Sequence, residues 1–387
     1  MSERLRRWRL ILGGQDADGT GQSLSGVDAK RDATLAALYG EDSGPRAGLG
    51  GSSPRVARWL GDIRGYFPSS VVQVMQRDAM ERLGLRELLL EPELLDSVQP
   101  DVHLVGTLLS LGRAIPEHSR ETARAVVGRV VDELEKRLAQ PTRQAVGGAL
   151  HRADRTSRPC PADIDWNRTV LANLRHYQPE QRTVVPQRLI GHGRRLPSVS
   201  RQIVLCLDQS GSMAASVVYA SVFAAVLASI RSLRTRVVAF DTAVADLTDA
   251  LADPVELLFG VQLGGGTDIN AALAYCADRI DSPRDTVLVL ISDLFEGGDE
   301  EAMLRRAQAL RADGVQVICL LALSDDGAPA YDHDTAAALA ALGVPAFACT
   351  PDRFPDLMAA AIGQQDIATW AASHDIPLAA PAGDPAE

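Results

Sequence analysis

Five oxygen-bearing side chains stand at positions that suit a hard cation. Asp208, Ser210 and Ser212 alternate directly after the apolar run Ile203-Val-Leu-Cys-Leu, Thr267 follows Gly264-Gly-Gly, and Asp293 follows a second apolar run, Leu288-Val-Leu-Ile. In an extended loop, residues two apart point the same way, so the three side chains of Asp208-x-Ser210-x-Ser212 can face one point while Gln209 and Gly211 turn away. Mg²⁺ takes six oxygen ligands at about 2.1 Å and holds some of its waters tightly. Two carboxylates neutralise a divalent ion, and three hydroxyls add oxygens without adding repulsion. An ion held this way still attracts an anionic ligand. Mn²⁺ or Ca²⁺ also suits such a set. Ser212 is placed to begin the next helix, whose N-terminal amides attract the same anion. The glycines before Thr267 free the backbone to bring its hydroxyl inward. Asp241 and Asp268 lie near these loops and read as supporting or turn residues.

The elements that must position these side chains alternate in type. From Gln202 onward, short apolar runs predict strands over 203–207, 236–240, 286–291, 315–321 and 345–349, with a short edge strand over 243–247. Helical spacing lies between them, over 216–232, 269–280, 300–313, 335–342 and 354–362. Strand and helix in alternation predict right-handed βαβ units and an α/β fold. The expected form is a Rossmann-like, doubly wound, mainly parallel sheet with helices on both faces, preceded by a mostly α-helical N-terminal region. Sheets of this kind bind ligands at the carboxyl ends of their strands, where Asp208 and Asp293 fall. In the N-terminal half, three-to-four spacing predicts a helix over 117–140 that Pro141 stops. Further helices are expected over 71–83 and 85–95, and residues 41–54 read as a linker rich in Gly, Ser and Pro. The expected divisions are an N-terminal segment with a flexible linker (1–54), a helical domain (55–200), an α/β domain (201–363) and a largely disordered tail (364–387).

The five residues resemble the metal-ion-dependent adhesion site of the von Willebrand factor A (VWA) family: Asp-x-Ser-x-Ser, then a distant Thr, then a distant Asp. All five positions match, and the resemblance runs from about Arg201 to Ile362. It implies that Asp208, Ser210, Ser212, Thr267 and Asp293 hold a Mg²⁺ whose open position takes an acidic side chain of a partner protein. The stretches Asp208-Gln-Ser-Gly-Ser-Met, Gly264-Gly-Gly-Thr-Asp-Ile and Ile291-Ser-Asp-Leu-Phe-Glu-Gly-Gly are similar to bacterial cytoplasmic VWA proteins associated with MoxR-type AAA+ ATPases, the CoxE-like group among them. That likeness implies an adaptor working with such an ATPase.

Composition excludes several other readings. The 387 residues, 46% apolar, supply core material for two or three domains. No stretch is expected to approach the eighteen or more uncharged apolar residues a membrane helix needs, and the N-terminus lacks a long apolar signal core, so a cytoplasmic protein is expected. Residues 202–363 hold nine arginines and 22 acidic residues, a net of −13, against +6 over residues 1–201. Such an acidic domain suits a cation and not a nucleic-acid backbone. The five cysteines contain no Cys-x-x-Cys pair, and Cys206 and Cys319 fall in apolar strands, which points to reduced, buried thiols and no zinc. No phosphate-binding loop is present, so ATP hydrolysis must come from a partner. Ser210 lies in no Gly-x-Ser-x-Gly elbow, and Asp332-His333-Asp334 reads as a solvated loop. The expectation is a non-catalytic binding protein. The alternatives are a metal-dependent hydrolase or chelatase-like subunit, and a scaffold in which the ion only rigidifies the loops.

Overall fold

In the computed structural model, the structure describes residues 24–39, 53–82, 100–111, 115–153, 155–156, 164–179, 181–192, 201–260, 266–324 and 329–379, with Leu10 and Val98. The helix expected over 85–95 and nearly all of the 41–54 linker lie outside the described residues. The chain divides into two compact units, Met1–Asp132 and Glu133–Glu387.

The first unit is helical. Helices α1 (Gly26–Tyr39), α2 (Ser53–Tyr66), α3 (Ser69–Arg82) and α4 (Val102–Ser110) precede α5, which spans Glu117–Ala153. Their buried side chains include Leu38, Trp59, Ile63, Met75, Leu104 and Val127. The indole of Trp59 donates to the Thr34 carbonyl at 3.0 Å, so a buried polar group is satisfied inside the apolar cluster. Asp101 caps α4 by accepting from the Leu104 amide at 2.7 Å.

Helix α5 departs from expectation. It passes through Pro141 and ends at Ala153 instead of stopping at 140. Proline removes one backbone donor and crowds the preceding turn, a cost of about 3 kcal/mol in a helix interior. Burial on both sides of Pro141 offsets it: Leu138 and Ala139 before it, Val146 and Ala149 after it. The buried hydroxyl of Thr142 donates to the Leu138 carbonyl at 2.7 Å, giving that turn a bond beside the one proline removes.

In the second unit, α6 (Trp166–Ala172) lies among four two-residue strands, β1 (Arg155–Thr156), β2 (Tyr177–Gln178), β3 (Thr183–Val184) and β4 (Gly191–His192). β1 pairs with β4 and β2 with β3, both antiparallel. The main sheet follows, built from β5 (Arg201–Asp208), β6 (Leu233–Phe240), β7 (Val244–Asp246), β8 (Thr286–Ile291), β9 (Gln316–Leu323) and β10 (Ala346–Cys349). Its order is β10-β9-β8-β5-β6-β7. The first five are parallel to their neighbours, and β7 closes the edge antiparallel to β6.

Seven helices follow in chain order: α7 (Ala214–Ala228), α8 (Pro254–Gly260), α9 (Ile269–Ala277), α10 (Glu300–Asp313), α11 (His333–Ala341), α12 (Phe354–Ile362) and α13 (Ile367–Ser373). On one face Val204, Cys206, Val238, Leu288, Leu290 and Cys319 pack with residues of α9, α10 and α11. The alternate residues Ile203, Leu205, Leu207 and Val237 are equally buried, so both faces of the sheet are covered. Helix α7 packs on the sheet, and its Phe223 ring meets Phe354 of α12 at 4.4 Å. The architecture is the expected α/β fold, doubly wound and mainly parallel, after a helical N-terminal region.

Two expectations about apolar segments change. The stretch Gly211–Ala228 carries no charge and is long and apolar enough to cross a bilayer. Two-thirds of it is buried inside the fold, where it serves as the core helix α7. The tail expected from residue 364 opens instead with α13, whose Ile367, Trp370 and Ala371 are buried. Phe347 of β10 lies 6.3 Å from the Trp370 ring, which gives this helix its place.

Candidate metal centre

Strand β5 ends on Asp208, and the Gln209 amide extends its pairing with β6 by one bond, to the Phe240 carbonyl at 2.9 Å. Asp208 is fully buried. One carboxylate oxygen accepts from the Ser210 amide at 2.8 Å and the other from the Ser292 hydroxyl at 2.6 Å. Burial pushes its pKa up. Bonds from Ser292 and Ser210 work against that, and the charge of Asp293 adds to the rise.

The side chains of Ser210 and Ser212 do not serve as helix caps. Neither the short turn Gly211–Met213 nor α7 takes a side-chain cap bond at its start. The two hydroxyls lie 3.1 Å apart, and Ser212 donates to Asp293 Oδ2 at 2.5 Å. Bonds of that length are typical of a hydroxyl on a carboxylate. Asp208, Ser210, Ser212 and Asp293 therefore form one chain of contacts across two loops 81 residues apart.

Thr267 stands outside this chain of contacts and meets the segment after Asp293 through its backbone. The Gly297 amide donates to its carbonyl at 2.8 Å, and the Asp268 amide donates to the Asp241 carbonyl at 2.9 Å. Thr267 is 8% exposed, and among the described residues its hydroxyl makes no hydrogen bond. Of the glycines before it, only Gly266 is described; a Cβ there would press on the Thr242 methyl at 3.1 Å. The side chains of Asp241 and Asp268 serve local turns. Asp241 accepts from the Ala243 amide at 2.6 Å, and Asp268 caps α9 through the Ala271 amide at 2.7 Å. Asp332 likewise caps α11 through Asp334 and Thr335, both at 3.0 Å, while its own amide donates to the Asp293 carbonyl at 2.9 Å.

Two residues of this region escaped sequence reasoning. Ser292 holds Asp208 and also accepts from the Leu294 amide at 3.0 Å. Its one sequence signal is its place beside Asp293, facing the other way from a strand end. Glu296 accepts from the Ile269 amide at 2.7 Å and the Gly298 amide at 3.1 Å. Burial raises its pKa, with the Asp268 charge adding to the rise and the bonds from Ile269, Gly298 and Asn270 opposing it. No local pattern marks it. Between these two, Leu294 is fully buried with a φ of 66°, a strained conformation for a branched side chain, and Phe295 is 54% exposed at the rim.

The donor set suits a hard cation. Among the described residues no group of three or more His, Cys, Asp or Glu is arranged to hold a metal, so any ion here depends on hydroxyls as well as carboxylates. The two acids share a buried neighbourhood, which leaves negative charge for a cation to neutralise. Asp208 is sealed inside while Ser212 is exposed, so the cluster opens on one side to solvent.

The sequence pattern described as VWA domain containing CoxE-like protein matches residues 134–358. The chain belongs to this CoxE-like VWA family. A relative of this CoxE-like VWA protein, described as "Uncharacterized protein YehP", from Escherichia coli (strain K12), is 36% identical over 365 residues, covering 92% of this chain and 96% of the relative. Two solved structures have lower likeness. An aerotolerance-related membrane protein from Bacteroides fragilis NCTC 9343 has a TM-score of 0.33 at 15% identity, over 43% of this chain and 98% of that chain. BatB from Bacteroides thetaiotaomicron, a conserved hypothetical protein, has a TM-score of 0.32 at 14% identity, over 44% of this chain and 98% of that chain.

Proposed function

We propose that this CoxE-like VWA protein is a metal-dependent protein-binding adaptor. Asp208, Ser210, Ser212, Thr267 and Asp293 would hold Mg²⁺, with Mn²⁺ or Ca²⁺ as substitutes. The observation that carries this reading is the Ser210–Ser212–Asp293 chain of contacts beside buried Asp208, in place of the cap bonds those serines would otherwise make. A bound Mg²⁺ supplies a concentrated positive charge that attracts an anionic group. The protein residues hold that charge, leave one side open and keep its surroundings rigid. The ligand proposed for the open side is an acidic side chain of a partner protein. Phe295 adds apolar surface beside it.

We further propose that the partner set includes a MoxR-type AAA+ ATPase, that the chain itself is non-catalytic, and that it works in the cytoplasm, in protein remodelling or metal-centre maturation. Family membership and the absence of a phosphate-binding loop support this reading. Calorimetry with Mg²⁺ on wild type and Asp208→Ala tests the site. Unchanged affinity in the variant would remove the assignment. Pull-down in Mg²⁺ with the same pair tests the adaptor: an ATPase retained by both and a second protein retained only by wild type is the expected result, and identical protein lists would sink it. Turnover by the purified chain alone would favour the hydrolase.

A further inference from the structure

We infer that Glu296 is a positioning residue that locks the Thr267 loop to the Asp293 loop, so that the two present their oxygens as one unit. The inference rests on the metal-site reading above. Two contacts join residues 267–269 to residues 296–298, and a third within 296–298 fixes the same carboxylate. Glu296 accepts from the Ile269 amide at 2.7 Å, Gly297 donates to the Thr267 carbonyl at 2.8 Å, and the Glu296 carboxylate also accepts from the Gly298 amide at 3.1 Å.

Each contact has a physical reason. The first amides of a helix have no partner within it, and α9 starts at Ile269. Asp268 satisfies the Ala271 amide at 2.7 Å, as an ordinary cap does. The Ile269 amide is satisfied instead by a carboxylate 27 residues away. At Gly297 a Cβ would stand 2.9 Å from the Thr267 carbonyl oxygen, which is backbone and has no side-chain freedom to retreat. Only glycine permits the two segments of this junction to approach so closely. Glu296 lies three residues past Asp293, and Ile269 lies two past Thr267. A shift of either loop therefore strains the other through the same carboxylate.

A residue that only braced the fold would lower stability without a selective effect on the ion. Coupling predicts more. Glu296→Ala frees both amides. Glu296→Gln keeps one acceptor but turns a donor toward the second amide, so it retains half of the arrangement. Gly297→Ala pushes the loops apart while leaving Glu296 in place. Loss of a residue that orients metal ligands typically costs 10-fold to 100-fold in affinity.

The experiment is calorimetry with Mg²⁺ on the full chain, for wild type, Glu296→Gln, Glu296→Ala and Gly297→Ala. Glu301→Ala serves as control, since its exposed carboxylate pairs with Arg305 of its own helix at 3.1 Å. Amide exchange at Ile269 and Gly298, with and without Mg²⁺, is the second readout. The expected result is a loss of about 10-fold or more for Glu296→Ala and Gly297→Ala, and a smaller one for Glu296→Gln. Mg²⁺ should slow exchange at both amides in wild type and not in Glu296→Ala. Wild-type affinity in Glu296→Ala with a lower melting temperature would reduce Glu296 to a brace and overturn the inference. Wild-type protein with no Mg²⁺ binding would overturn the metal-site reading itself, and the positioning role with it.

Discussion

Ser212 donates its hydroxyl to Asp293 Oδ2 at 2.5 Å, joining the loop after β5 to the loop after β8. Because Ser212 is exposed and Asp293 is buried, this bond marks the boundary between the sealed and the open side of the cluster. Replacing Ser212 by Ala should lower Mg²⁺ affinity about 10-fold or more, since a proposed ligand and the partner of Asp293 vanish together. Stability should fall by no more than about 1 kcal/mol, the usual net worth of a hydrogen bond open to water. Calorimetry and thermal unfolding of the same variant separate the two effects; a large loss of stability with intact metal affinity would contradict the assignment.

Asp208→Ala should weaken Mg²⁺ binding more than Ser212→Ala does, while the fold persists. Asp208 sits at the end of β5, and seven strand residues before it keep their register with β6. The variant also removes a buried carboxylate whose ionisation burial disfavours. Circular dichroism that matches wild type, alongside lost Mg²⁺ heat, is the expected pair of results.

Phe295→Ser should leave Mg²⁺ affinity within about twofold of wild type and weaken capture of the Mg²⁺-dependent partner. The ring is 54% exposed and its backbone is held between buried Leu294 and bonded Glu296, so its loss should disturb little inside. Removing an aromatic anchor from an interface commonly costs 1–4 kcal/mol, or about 5-fold to 1000-fold in affinity. Binding measured against the partner recovered from the pull-down decides this, and equal affinity would place Phe295 outside the interface.

The pH dependence of stability should carry a contribution from Asp246 on the edge strand. Burial raises its pKa, but bonds from Thr248 and Tyr275 and the charge of Arg236 outweigh burial and leave it below the usual 3.8. The Thr248 amide and the Tyr275 hydroxyl each lie 3.0 Å from the carboxylate. A folded-state pKa below the unfolded one stabilises the fold above pH 3.8 and loses that contribution as pH falls through the folded value. Asp246→Asn should therefore be less stable than wild type at pH 7, with the gap closing below pH 3.8. Denaturant titrations across that range check the sign, and a gap that widens in acid would refute it.

Cys206, Cys276, Cys319 and Cys349 are all buried, and burial pushes the thiols of Cys319 and Cys349 up to about 12. Thiolate is the reactive form, so the native protein at pH 8 should leave these four unalkylated. Peptide mapping after brief iodoacetamide treatment should find them modified only when denaturant is present.

Local pattern was enough for the sheet. The apolar run from Thr286 to Ile291 predicted β8 to the residue, and the patterns at 300–313 and 354–362 did the same for α10 and α12. Alternation and strand ends mark Asp208 and Asp293 because both are properties of neighbours in the chain. Whether Ser212 bonds to Asp293 or to its own helix depends on where a loop 81 residues away comes to rest, and so do the roles of Ser292 and Glu296. The same holds for Pro141 and for the uncharged stretch Gly211–Ala228. Proline reads locally as a stop, yet burial of Leu138 and Val146 carries the helix through it, and the eighteen-residue uncharged, mostly apolar stretch is two-thirds buried inside the fold. Sequence by itself determined which strands form and which oxygen-bearing side chains stand at or just past their ends. Tertiary structure decided which loops meet, because that is set by burial and by hydrogen bonds between residues that chain order does not bring together.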